Sequence, residues 1–442
     1  MYIFKNGRTI TFDEKNPYLE NGAVVVEGDR IIDVGNSLDL EKKYPGAEVI
    51  DAKGRVIMPG LINSHMHIYS SFARGMKITN LTRNFDEILE NLWWKVDKNL
   101  TLEGTKYSAY ATYMDCIKNG VTTVIDHHAS PFHLKGSLRT IAEVAKEIGI
   151  RASLSYEVSD RDGEKIAEEG IEENIDFIKW AKEENSDMIG AMFGMHAAFT
   201  LSDETLEKCK KAMEPYDNGY HIHVAEGYTD LKNSLEKHGK RVVERLKDFG
   251  IFREKTIAVH CIHVNEQELD IIKNSGSSVV HNPESNMGNA VGRSPAVEMI
   301  NRGMEVGLGS DGYTSDMLES YKVANILHKH HLSDPTVAWG ESPRMLFENN
   351  RKIVKKQFNC QVGILEKGGK ADIIIMDYLP HTEMNGDNFY SHILFGMSGR
   401  GTVTTMVNGK LVMKDRVILT VDEEKTLAKA REVSKEMWKS FK

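Results

Sequence analysis

Cysteine is scarce in this chain. Cys116, Cys209, Cys261 and Cys360 are scattered through 442 residues with no C-x-x-C pair. That argues against a disulfide framework and a thiolate zinc site, and it suits a reducing cytoplasm. A basic excess is missing too: the net charge is -9, with acidic and basic residues mixed rather than blocked. Nucleic-acid binders need a basic face, so that class is set aside. No apolar run approaches the length that spans a bilayer, and Met1 to Arg8 lacks the basic-then-apolar order of a secretory signal. Internal repeats, low-complexity segments and a G-x-G-x-x-G after a first strand are also absent, the last removing the sign of a dinucleotide site. What remains is a cytoplasmic protein acting on small molecules.

What is present is an ordinary core and a regular rhythm. Hydrophobic residues make up 40% of the chain, enough for a substantial interior. Residues 1–55 read as short strands with tight turns, including a hairpin at Gly28-Asp29. Ala371 to Asp377, Thr404 to Asn408 and Lys410 to Met413 read the same way, with Asn408-Gly409 as the turn. Neither end can bury much alone, so both are expected to pair into one small β-domain. A charged helix over 422–441, capped by Asp422, closes the chain. Between the ends, apolar strands are expected at 57–62, 121–125, 151–156, 188–194, 219–224, 256–260, 277–281 and 305–309, mostly followed by helical stretches. That alternation means parallel strands with crossover helices. Eight such strands in about 300 residues fit a (β/α)₈ barrel. The predicted division is 1–55 (β-sandwich, first part), 56–362 (barrel) and 363–442 (β-sandwich, second part, plus the helix).

A barrel enzyme carries its chemistry where strands end. Strand one runs through I-M-P-G-L-I-N-S-H-M-H-I and ends in His65 and His67, which share a face because side chains at i and i+2 do. The second strand ends in Asp126-His127-His128, the fourth runs into His196, and the fifth holds His221 and His223 before Glu226. Strand six ends in His260, strand seven in His281-Asn282 and strand eight in Ser310-Asp311-Gly312. Each histidine alone reads as a satisfied polar residue; together they indicate a site. Nitrogen and oxygen donors without cysteine suit Zn²⁺ or Fe²⁺. His65, His67, Asp311 and one of His221 and His223 supply a ligand set, and periodicity leaves the last choice open.

The motifs P-G-L-I-N-S-H-M-H (59–67), H-V-A-E (223–226), V-H-C (259–261), H-N-P-E-S-N (281–286) and G-S-D-G (309–312) together resemble the amidohydrolase superfamily. The resemblance lies in the branch of cytosine, guanine and adenosylhomocysteine deaminases and triazine chlorohydrolases, and is strongest to SsnA-type aminohydrolases. K-G-G-K-A-D-I-I (367–374) resembles the re-entry into that family's composite β-sandwich. The resemblance implies one divalent metal ion per chain, zinc before iron, held by His65, His67, His223 and Asp311. It picks His223 over His221 because Glu226 stands three residues on. His196 occupies the fourth-strand region where binuclear members carry a lysine, so a single ion is expected. A homodimer or larger homo-oligomer is also implied.

The expected reaction is deamination of an aminated purine, pyrimidine or related heterocycle. The metal lowers the pKa of its water, and the resulting hydroxide attacks an amidine-like carbon. His260 and Asp311 orient that water, and Glu226 protonates a ring nitrogen and passes protons to the leaving amine. The alternatives are hydrolysis of a cyclic amide or another C–N bond, or dechlorination, and a non-catalytic binding protein on the same fold. Substrate contacts are assigned to Arg74 as a carboxylate or carbonyl clamp, to His196, Asn286 and His128, since only one of the adjacent His127 and His128 can point inward. Trp93 and Trp94 read as a helix face packed on the barrel; His328, His330 and His331 read as a solvated or interfacial face. Substrate choice is assigned to loops 69–100, 127–135 and 282–295.

Overall fold

A Pro59-Gly60 step divides the chain between two sheets in the computed structural model, which describes residues 1–78 and 80–441. Thr79, inside the expected loop 69–100, and Lys442 lie outside the described residues. Val56–Pro59 pairs antiparallel with Ile373–Met376, while Leu61–Met66 pairs parallel with Val121–His128. The expected first strand at 57–62 therefore straddles two strands in two sheets. Its run is apolar and buried throughout, so hydropathy alone does not mark the switch. Gly60 is required there, because a Cβ would lie 2.2 Å from Thr122 Oγ1.

The barrel strands are β1 (Leu61–Met66), β2 (Val121–His128), β3 (Arg151–Tyr156), β4 (Ile189–Ala191 and Phe193–Ala197), β5 (Tyr220–Val224), β6 (Ile257–His260), β7 (Ser278–His281) and β8 (Val306–Leu308). All pairings among them are parallel. β4 is broken at Met192: its first half pairs with β3 and its second with β5. Parallel bridges Val158–Met195 and Met66–Asp311 join the two arcs, the second bringing the end of β8 beside β1. Strand residues are buried on both faces, as expected when helices cover a parallel sheet.

Strands of both termini form one nine-stranded sheet. Phe4, Val24, Val26, Ile31, Ile57, Ile373 and Met406 meet in its core. Glu27 pairs with Arg30 and Val407 with Lys410 across the two expected turns; Asn408 and Gly409 both take positive φ, the form a two-residue hairpin needs. The terminal helix, Glu423–Trp438, is capped by the Asp422 side chain. It docks on the barrel side: Trp438 Nε1 donates to the Phe72 carbonyl at 2.8 Å. His328 departs from the expected solvated face. It is buried, with its ring 5.1 Å from that of His281, because one side of helix Met317–Leu332 packs on the barrel. The four cysteines are free and buried. Among the described residues no helix is long and apolar enough to cross a membrane.

Candidate active site

The carboxyl ends of the barrel strands converge on a buried group of imidazoles. His65, His67 and His223 each offer a nitrogen within 4.8 Å of the others, and His65, His260 and Asp311 form a second such group. The partner of each ring decides which nitrogen is available. His67 Nδ1 donates to the His127 carbonyl at 2.7 Å, and His223 Nδ1 to the His196 carbonyl at 2.9 Å. A carbonyl only accepts, so both rings carry a proton on Nδ1; His223 Nε2 then presents a lone pair, while His67 Nε2 is turned to Asp311.

His65 is set by a longer relay. The Ser155 hydroxyl donates to the Asp126 carbonyl at 3.1 Å, so Ser155 Oγ accepts from His221 Nδ1 at 3.3 Å. His221 Nε2 must then accept from His65 Nδ1, 2.8 Å away. His65 Nε2 is left with a lone pair, buried and without a hydrogen-bond partner. The relay also answers the choice the sequence left open: His221 orients His65 from behind, whereas His223 Nε2 joins the inner group. Fixing a ligating imidazole through its second nitrogen is a common arrangement at metal sites.

Burial, reinforced by the surrounding imidazoles, pushes His65 and His223 well below the usual histidine range, so both are neutral and able to ligate. His67 behaves otherwise: burial is the largest influence and opposes its charge, but the Asp311 hydrogen bond together with the Asp311 and Glu157 charges outweighs it and raises the ring to about 10, with an Nε2 proton that a bound cation would replace. Its Nε2 lies 3.1 Å from Asp311 Oδ1. Burial likewise opposes charge on Asp311, yet the His67 contact holds its carboxyl well below the usual carboxylate range. An ionised carboxylate facing several imidazole nitrogens, two of them unpartnered, fits a divalent cation with nitrogen and oxygen ligands.

Two groups overlook Asp311. His260 Nδ1 donates to Asn286 Oδ1 at 2.8 Å, leaving its Nε2 3.4 Å from Glu226 Oε2 and 3.6 Å from Asp311 Oδ2. Burial first, and then the Asp311 charge, push Glu226 well above the usual range. Its protonated form is favoured by that burial. Ala225, His260, Cys261 and Asp311 all take positive φ, a left-handed conformation that costs each non-glycine residue of order 1 kcal/mol or more and clusters at functional sites.

Four substrate contacts were expected, and the structure separates them. His196 lines a small inner chamber of about 50 Å³ together with His67, His223, Glu226 and Asp311. Asn286 is fully buried behind His260, so it positions that ring instead of meeting substrate. His128 faces away: its Nε2 meets Ser130 Oγ at 2.9 Å and its ring lies against Tyr69. His127 faces inward, stacked on His221 at 4.3 Å, because alternate β2 side chains take opposite faces. Arg74 stands at an outer cavity of about 370 Å³, with its guanidinium 2.9 Å from Asp115.

Three residues were overlooked as site residues. Glu157 lines the chamber directly after β3, and the strand-end rule could have found it. Trp93 and Trp94 also line it, on a helical segment (85–99) interrupted by a π-turn at Leu89–Trp93, a feature frequent at functional sites. Trp93 borders the outer cavity as well.

An eight-stranded parallel barrel with clustered imidazoles, an ionised aspartate and a buried glutamate at its carboxyl end defines a barrel hydrolase able to hold a divalent metal. The chain belongs to the amidohydrolase family, whose sequence profile matches residues 56–412. It is 32% identical over 440 residues to a 5'-deoxyadenosine deaminase of Methanosarcina mazei, covering 98% of each chain. It is 33% identical over 420 residues to a 5-methylthioadenosine/S-adenosylhomocysteine deaminase of Thermococcus onnurineus, covering 94% of each. In fold it resembles the zinc-bound adenosine deaminase of Xanthomonas campestris, with a TM-score of 0.86 at 21% identity over 99% of this chain and 98% of the other.

Proposed function

We propose that this protein is a metal-dependent hydrolase that deaminates an aminated heterocycle, with adenosine-type nucleosides as the first substrates to try. The observation that carries the reading is the ring orientation: His65, His67 and His223 each have Nδ1 engaged away from the centre and Nε2 turned towards the inner group, where His67 meets Asp311. His65, His67, His223 and Asp311 are the proposed ligands of one divalent ion, zinc before iron. Nitrogen–oxygen donor sets of this size suit zinc, and His196 stands where a bridging lysine is needed for a second ion. When bound, such an ion supplies Lewis acidity and brings the pKa of a coordinated water towards neutrality.

The chain's own groups divide the proton work. Asp311, ionised, accepts the proton of the attacking water, and His260 Nε2 holds that water in line. Glu226, whose burial favours the protonated form, gives its proton to a ring nitrogen beside the reacting carbon. A proton then passes through the same carboxyl to the leaving nitrogen, so water and the amine become a carbonyl and ammonia. Positioned acid–base groups of this kind contribute about 10²–10⁴-fold. The relatives' names are the reason to try adenosine derivatives first.

The test is ammonia release by zinc-loaded protein across 5'-deoxyadenosine, 5'-methylthioadenosine, S-adenosylhomocysteine, adenosine, guanine and cytosine. Stoichiometric ammonia from at least one is expected. A panel without ammonia, from protein carrying about one metal ion per chain, would overturn deamination of these amines.

A further inference from the structure

The third barrel strand ends in a carboxylate that the reaction above does not use. Glu157 is 4% exposed, and its Oε1 has no hydrogen-bond partner. That oxygen lies 3.4 Å from His67 Nδ1 and 3.5 Å from His127 Nδ1. His67 Nδ1 is already given to the His127 carbonyl, and both ring nitrogens of His127 are themselves unpartnered.

Asp97 and Trp94 stand on the same chamber wall. Asp97 Oδ2 accepts from Arg161 Nη2 at 3.1 Å, and the Arg161 guanidinium lies 4.8 Å from the centre of the Trp94 ring. Even so, Asp97 Oδ1, Arg161 Nη1 and Trp94 Nε1 are buried without partners. Folded interiors leave few polar atoms unmatched, and each such atom calls for an occupant. Three of these atoms, on Glu157, Asp97 and Trp94, belong to residues that line the active-site chamber, and they point to a polar ligand edge.

The His67 ring separates this wall from the reacting groups. Its Nε2 faces Asp311, while Glu157 lies at its Nδ1 side. Glu226, His260 and Asp311 belong to the ends of β5, β6 and β8; Glu157 belongs to the end of β3. Asp311, Glu226 and Glu157 line one chamber, so a flat ring reacting beside Asp311 and Glu226 has another edge within it to present to Glu157.

We propose that Glu157 is a substrate-binding residue that accepts a hydrogen bond from an N–H or O–H donor on the edge remote from the amino group. Arg161 offsets the charge of Asp97, whereas no Lys or Arg among the described residues pairs with Glu157, which makes Glu157 the stronger acceptor for a ligand donor. The assignment rests on the deaminase reading for its orientation, and it means that the site selects neutral, donor-bearing rings and rejects anionic edges.

Calorimetric binding of deaminated products to zinc-loaded protein tests this without turnover. Inosine against 2',3'-dideoxyinosine removes sugar O–H donors; hypoxanthine against 9-methylhypoxanthine removes a ring N–H. In the wild type one donor-bearing member should bind about 10–150-fold more tightly than its stripped partner, the span for a hydrogen bond to a charged group. Glu157→Leu should bring that ratio close to one with metal content unchanged, and Glu157→Gln, which keeps an amide oxygen, should lower it only in part. A ratio that survives Glu157→Leu overturns the proposal, as does wild-type protein binding none of the four. Metal loss in Glu157→Leu would likewise overturn it and make Glu157 a positioning residue for His67. Should Glu157→Leu fail to fold, an unchanged ratio in Glu157→Gln overturns it. Preferences that hold while the parent amines release no ammonia would remove the deaminase reading and leave the donor site; turnover without the preferences does the reverse.

Discussion

Arg151 opens β3 and Glu157 follows its last residue, and the fold treats these two buried charges in opposite ways. At the start of the strand, the Arg151 guanidinium pairs with Asp372, a residue of the segment leading into the composite sheet. It also donates to Thr123 Oγ1 at 3.1 Å and to the Asp187 carbonyl at 2.9 Å. Asp372 in turn accepts from the Asn408 amide at 2.7 Å. At the end of the strand, Glu157 has imidazoles near it and no hydrogen bond at Oε1. Burial pushes its carboxyl up to about 7. The lesson is that burial does not distinguish a structural charge from a functional one. Pairing does: at the amino end Arg151 has a carboxyl partner in Asp372 and two further hydrogen bonds although its Nη2 has none, whereas at the carboxyl end Glu157 Oε1 has no hydrogen bond at all.

Four substitutions break or sharpen that contrast. His67→Ala acts at the open end and should have the largest effect: metal analysis should fall from about one ion per chain to near none, with turnover lost. Full retention of metal would mean that the ligand set is misassigned. Glu226→Gln should keep the metal while kcat falls about 10²–10⁴-fold; substantial residual activity would remove Glu226 from the proton path. At the closed end, Asp372→Ala leaves Arg151 buried and unpaired, which costs about 3–5 kcal/mol. Urea unfolding should show that loss while activity per folded molecule stays near wild type. Were Asp372→Ala to impair kcat as strongly as Glu226→Gln, the two ends of the barrel would not be separable in function. Arg74→Ala should do least. Its partner Asp115 is part-exposed, exposed ion pairs contribute about 0–1 kcal/mol, and KM for a good substrate should scarcely move.

Much of the fold was legible before any coordinates. Strand–helix alternation, the two hairpin turns and the Asp422 cap are local patterns, and the structure contains all of them. Most of the inner site was legible for the same reason, since β-ends carry His65, His67, His223, His260 and Asp311 in plain view. The misses share a cause. Pro59-Gly60 hides a change of sheet because both sides of it are equally apolar and buried. His128 was taken for His127 because adjacent strand residues differ only in which face the neighbouring strands cover. Asn286 sits in a motif at a strand end, yet its amide turns to His260 rather than to the chamber. Glu157 was passed over although it follows a correctly placed strand; it lacks a histidine beside it in sequence and gains two in space.

The sequence by itself determined which residue types stand at the carboxyl ends of eight parallel strands, because strand period and helix alternation are properties of neighbouring residues. It also determined that this face is rich in nitrogen and oxygen donors and free of thiolate pairs. Only the tertiary structure decided what each of those groups can do. Which nitrogen of His65 is free depends on His221, Ser155 and the Asp126 carbonyl, held on three other strands. Whether a glutamate is a surface charge or a buried proton donor depends on what surrounds it, as with Glu226, and whether it has a partner depends on which neighbours the barrel brings to it, as with Glu157. Protonation and hydrogen-bond satisfaction are set by groups distant in the chain, so they arise only once the barrel has closed.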